Sequence, residues 1–189
     1  TLFLAFNFRI LGAFSGLIMT YFISLVLPIS DAGYIFYLIT IVSFIGALTT
    51  LGLPMALLRF IGVHHRLHEW SKIKGLLNFC LKYSLLISFG VVALIVILLI
   101  FYNQAFEINN VFIKVSLIML IAIPFFAQNE ITSHAFQGIG RSLLSIFFLR
   151  ISNQIFVALA ICLLYFLYDF INLYLVAIIY TAGLFLTSC

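Results

Sequence analysis

The chain has very little charge. Asp, Glu, Lys and Arg together make up 7% of its residues, against about 25% in an average globular domain. A water-exposed surface cannot be built from so few charges, which excludes an ordinary soluble domain and points to a polytopic membrane protein. Proline is also scarce, with three residues, and cysteine occurs three times. Cys80, Cys162 and Cys189 lie far apart, in or at the ends of apolar stretches, without CxxC or metal-ligand spacing. They read as small buried hydrophobes. Nowhere is there a Lys/Arg-rich run, so the net charge of +4 does not describe a nucleic-acid-binding patch. The sequence holds no Gly-rich phosphate loop, Walker motif, nucleophile elbow or paired-Asp motif. Catalysis and ATP hydrolysis are therefore not expected of it, and no cofactor or resident metal is implied.

What the chain has in place of charge is apolar length. Apolar residues make up 66% of it, and Phe alone occurs 22 times. Six runs can be marked, over about 5–28, 33–57, 83–102, 111–135, 143–167 and 171–188, each near the ~20 residues needed to cross a bilayer. The first is too long for a signal-peptide core and has no small-residue cleavage site, so it reads as a retained span. Gly46, Gly52 and Pro54 predict a bend at the inner end of the second. The stretch near Trp70 to Tyr83 reads as an interfacial start of the third helix, with Trp70 and the lysines at headgroup level. Pro124 falls within the fourth. The chain begins without Met and stops inside an apolar run at Cys189, so a longer protein is expected.

The few charges sort by sign at the breaks between runs. Arg9, the group Arg59, Arg66, Lys72, Lys74 and Lys82, and Arg141 and Arg150 fall to one face, with Lys114 the basic exception. Asp31, Glu107 and Asp169 mark the other. Basic loops stay in the cytoplasm, which predicts a cytoplasmic N-terminus and an antiparallel, all-α bundle of six transmembrane helices.

Four charges do not belong cleanly to that pattern. Arg9, Arg59, Arg150 and Glu130 lie inside or at the edge of apolar runs. Each either snorkels to the headgroups or faces the bundle interior, where an ionisable residue marks a functional site. The fourth run carries a polar stripe of Gln128, Asn129, Glu130, Thr132, Ser133, His134 and Gln137. Its Glu130–His134 spacing allows a shared proton, and helix–helix hydrogen bonding is the plainer alternative. The fifth run answers with Arg150, Ser152, Asn153 and Gln154, and an Arg150–Glu130 ion pair is geometrically allowed. His64, His65 and His68 stand beside Glu69 in a loop without further ligands, so metal binding is not expected there.

An early Arg, the turn Ser30-Asp31-Ala32-Gly33-Tyr34, the stretch Leu51-Gly52-Leu53-Pro54-Met55-Ala56-Leu57-Leu58-Arg59-Phe60, a basic loop, and Phe136-Gln137-Gly138-Ile139-Gly140-Arg141 follow in order. Together they resemble the N-terminal lobe of the polysaccharide transporter family, the O-antigen and capsule repeat-unit flippases of the multidrug/oligosaccharidyl-lipid/polysaccharide exporter superfamily. Such proteins have two six-helix lobes, roughly 12–14 spans in all, and this chain supplies one. The resemblance implies a missing C-terminal lobe and a place in the bacterial cytoplasmic (inner) membrane. Its implied activity is alternating-access transfer of undecaprenyl-pyrophosphate-linked oligosaccharide, coupled to an ion. The partners implied are that lipid-linked substrate, membrane lipids, and polysaccharide polymerase or ligase machinery. On this reading Arg9, Arg59 and Arg150 bind the diphosphate, and Glu130 with His134 serves ion coupling. A multidrug exporter of the same superfamily would favour acidic cavity residues. A non-transport polysaccharide-assembly membrane protein, such as a polymerase or acyltransferase, is a third reading, and a polymerase would be expected to carry a large outer loop.

Overall fold

The computed structural model describes residues 2–106, 110–147, 151–167 and 172–188. Among the described residues 92% are helical and no strand occurs. The helices are α1 (Leu2–Val26), α2 (Ile29–Thr49), α3 (Leu53–Arg66), α4 (Trp70–Phe106), α5 (Asn110–Leu120), α6 (Ala122–Gly138), α7 (Ser142–Ile146), α8 (Ser152–Leu167) and α9 (Leu173–Ser188). Among the described residues, 4 helical stretches are long and apolar enough to cross a membrane: Phe6–Val26, Ile29–Thr49, Trp70–Phe101 and Val111–Gly138. Two shorter apolar helices cover Ser152–Phe166 and Leu173–Ser188. Glu107, Arg150 and Asp169 lie outside the described residues, as does Cys189.

The apolar run 33–57 is not one helix. It ends at Thr49, because Leu51 and Gly52 adopt positive φ angles of 48° and 76°. The left-handed region costs glycine little but strains a leucine. Pro54 then stands in the first turn of α3, where its missing N–H is no loss. The expected bend is thus a complete break, and α3 is a separate helix bearing Arg59, His64, His65 and Arg66. By contrast, the expected interfacial start of the next span is continuous with it. α4 runs 37 residues from Trp70 to Phe106, about 55 Å at the α-helical rise, longer than a hydrocarbon core of about 30 Å. The fourth run divides at Ile121, three residues before Pro124. Pro124 cannot donate the bond that would join α5 to α6.

α6 is the hub, packing against α2, α3, α4, α5, α7 and α9. The main core lies between α1, α2, α5, α6, α8 and α9, with Ile23, Ile35, Val115, Ile123, Val157 and Val176 fully buried. A smaller core under α3 joins Leu57 and Ile61 to Ile73 and Cys80 of α4 and to Ile131 and Ala135 of α6. Gly138 permits the close approach of α3, since a β-carbon there would stand 2.9 Å from Ile61.

The outside of the molecule is the more telling surface. Leu17, Phe44, Leu86 and Phe166 are exposed, whereas Ser84, Ser88, Asn129, Ser133, Ser145 and Asn153 are buried. Large exposed apolar faces are not tolerated by soluble monomers, but they suit lipid. Buried small polar residues are what hold helices together where water cannot. The long apolar helices therefore mark a membrane helix bundle.

Candidate functional site

The polar stripe of α6 divides into two groups by what it touches. Three members bridge helices. Gln128 donates from Nε2 to the Leu81 carbonyl of α4 at 3.0 Å. Asn129 donates from Nδ2 to Thr187 Oγ1 at 2.7 Å and to the Leu184 carbonyl at 3.3 Å, both on α9. The Ser133 hydroxyl meets the Ser145 hydroxyl of α7 at 2.9 Å. Thr132 turns back to the Gln128 carbonyl at 2.9 Å. His134 also turns back: its Nδ1–H donates to the backbone carbonyl of Glu130 at 2.8 Å, not to the carboxylate.

Glu130 does neither: its side chain lines a cavity, which Asn129 also borders. That cavity holds about 160 Å³ and is enclosed by Met19 of α1, Ile39 and Ser43 of α2, Phe126, Asn129 and Glu130 of α6, Asn153 and Gln154 of α8, and Tyr180 and Leu184 of α9. The carboxylate forms no ion pair with any described residue. Nearby, Ser15 of α1 donates to Gln154 Oε1 at 2.6 Å, fixing the α8 amide against α1. Gly16 makes room for it, as a β-carbon there would lie 3.2 Å from Gln154 Nε2. A β-carbon on Gly183 would collide with Asn153 Oδ1, so α8 and α9 can meet at this level only through a glycine.

The arginines are elsewhere. Arg9 and Arg59 are exposed, and neither reaches a described carboxylate within ion-pair distance. Arg9 follows Phe8, which lines a groove between α1 and α8 together with Phe147 and Ile151, the residues flanking the segment that bears Arg150. Arg59 stands on α3, which packs on α4 and α6 instead. No described contact joins the two arginines. Arg150, and with it the Arg150–Glu130 pair, falls outside the described residues.

The corner between α3 and α4 holds the histidine group. His64 Nδ1 donates to Glu69 Oε2, and Lys72 Nζ to Glu69 Oε1 at 2.8 Å. These bonds, that from Lys72 foremost, hold the Glu69 carboxyl below its ordinary value. His65 stands edge-on to Trp70 with ring centroids 5.1 Å apart. No group of three His, Cys, Asp or Glu side chains gathers for a metal among the described residues.

Sequence reading singled out Glu130, Asn129, Asn153 and Gln154 as polar residues of the fourth and fifth runs, but not the cavity they share. Ser43 and Tyr180 carried no signal, being ordinary letters in apolar runs. Asn153 and Gln154 did carry one, as adjacent amides early in the fifth run. No protein-family model, curated protein or solved structure matches the chain.

Proposed function

We propose that this chain is the N-terminal lobe of a flippase that carries undecaprenyl-pyrophosphate-linked oligosaccharide across the bacterial cytoplasmic membrane by alternating access. The cavity around Glu130, walled by five helices inside a bundle with an apolar exterior, supports transport as such, whereas the choice of an anionic lipid-linked substrate rests on the resemblance and on arginines of which neither Arg9 nor Arg59 lines that cavity. Glu130 is half-buried and past the middle of the spanning stretch Val111–Gly138, and a carboxylate kept in a cavity there without a described counter-charge argues for an exchanged ion. The interruptions between α2 and α3 and between α5 and α6 supply the bending points that a rocking lobe needs.

In this reading the basic loops face the cytoplasm. Arg9, Arg59 and Arg150 engage the substrate diphosphate there through planar, bidentate guanidinium forks. Glu130 holds the coupling ion, and His134 steadies the helix turn beside it.

The test is complementation by the full-length protein in a bacterium lacking its own flippase. Hydrogen bonds to a charged group contribute about 1.5–3 kcal/mol, so Arg59→Gln and Arg150→Gln should each lower surface polysaccharide roughly tenfold or more at normal membrane abundance. Unchanged surface polysaccharide in both variants would remove the substrate role. Full, still gradient-dependent transport by Glu130→Gln would remove the coupling role.

A further inference from the structure

Among the described residues three buried side-chain oxygens have no partner: Ser84 Oγ on α4, and Oδ1 of Asn129 and of Asn153, the two that share a cavity. Asn129 and Asn153 are only 4% and 8% exposed, yet the Oδ1 atom of each accepts no hydrogen bond. Roughly nine in ten or more of such buried polar groups are paired in native proteins, and an exception calls for a bound water or ion. Both residues line the cavity that Glu130 also lines. The rest of its polar lining comes from the Ser43 and Tyr180 hydroxyls and the Gln154 amide, and no described lysine or arginine contributes.

The surroundings keep these acceptors in place. The Asn129 amide is fixed by its Nδ2 bonds to α9, which commits its donor end and leaves Oδ1 as the open one. Asn153 is admitted by Gly183, where any side chain would displace it.

We infer that this cavity binds one dehydrated alkali cation of sodium's size, ligated by the Glu130 carboxylate and by Oδ1 of Asn129 and Asn153. Hard cations take oxygen ligands, whereas transition metals select imidazole and thiolate, and neither lines the site. One carboxylate balances one positive charge. A divalent ion would leave an uncompensated charge in apolar surroundings. Water alone could donate to the two amide oxygens, but it would leave Glu130 charged and unpaired. As an account of coupling, the assignment rests on the transport reading above. As a binding site it stands alone, so binding measured without transport separates the two.

The experiment uses the purified full-length protein in nanodiscs. Radioactive sodium binding is measured by scintillation proximity, and thermal midpoints are compared in sodium chloride and choline chloride at equal ionic strength. Saturable sodium binding is expected, with a higher midpoint in sodium than in choline. Changes even in the outer shell of a metal site cost about ten- to hundredfold in affinity, so Glu130→Gln and Asn153→Ala should each weaken binding at least that far. The assignment is overturned if the unmodified protein binds no sodium saturably, or if both variants bind it unchanged. It is equally overturned if stability follows pH but not sodium, which would make Glu130 a proton site. The measurement on the unmodified protein decides even where a variant fails to fold.

Discussion

The corner between α3 and α4 and the interior between α6, α8 and α9 are the two polar regions of the molecule, and they solve opposite problems. In the corner, polar groups are numerous, open to water and mutually paired. Glu69 takes bonds from both His64 and Lys72, and Trp70 rests against His65. In the interior they are few and buried, and two of their oxygens have no protein partner. Exposed ion pairs are screened and contribute little, so the corner can lose one without consequence for the fold. Inside the bundle an unpaired polar atom keeps its full desolvation cost, so its persistence needs a cause such as a ligand. Charge density alone would direct attention to the corner, where charges are plentiful, and the unpaired buried oxygens direct it to the cavity that half-buried Glu130 shares.

The largest effect should come from the packing between these regions. Ile123 is completely buried, whereas Leu86 on α4 is 72% exposed. Ile123→Ala should cost about 2–5 kcal/mol through the cavity it leaves. Leu86→Ala, facing lipid with no partner to lose, should stay within about 0.5 kcal/mol. Reversible unfolding in detergent micelles or nanodiscs would measure both. Equal costs would mean that the exposed apolar face of α4 is covered by protein rather than lipid.

A smaller effect sharpens the description of the interior. Gly183→Ala places a methyl group against Asn153 Oδ1 and 2.9 Å from Phe156 Cδ1, and overpacking of this kind costs about 1–3 kcal/mol. If the collision with the amide is the cause, Asn153→Ala should recover part of the loss, and the double variant will be less damaged than the two single losses added together. Strict additivity in the same unfolding measurement would show that α8 and α9 do not meet through this pair.

The sequence made the helical class and the apolar spans legible, because hydropathy over about 20 residues is a strong signal. It did not make the end of α2 legible. Leu51 through Leu58 reads as uninterrupted apolar chain apart from Gly52 and Pro54, and only the backbone angles at Leu51 and Gly52 show that the helix stops. The stripe on α6 was legible as a stripe, but its meaning depends on partners brought in from α4, α7 and α9 over separations no local pattern encodes. The spacing of Glu130 and His134 suggested a shared proton, whereas the imidazole bonds to the backbone. The same limit hid the cavity: Ser43 and Tyr180 become polar lining only when α2 and α9 face α6.

The smallest effect belongs to the corner, and pH isolates it. Bonds from Lys72 and then His64 depress the Glu69 carboxyl below its ordinary value of 4.5. A depressed carboxyl stabilises the corner at pH values above its unfolded value, and that contribution fades as pH falls through the lower, folded one. Trp70, the one tryptophan in the sequence, lies next to Glu69 and reports the change. The fluorescence step that belongs to Glu69 should fall below about 4.5, where carboxylates take up protons. In Glu69→Gln the shifted signal should already be present at neutral pH, and the acid step should disappear. The thermal midpoint of the bundle should barely move in either case, because the screened pair adds little to a fold whose core lies elsewhere. An acid step that survives in Glu69→Gln would assign the titration to another group, and the corner would then owe its shape to α3 packing on α6 rather than to its charges.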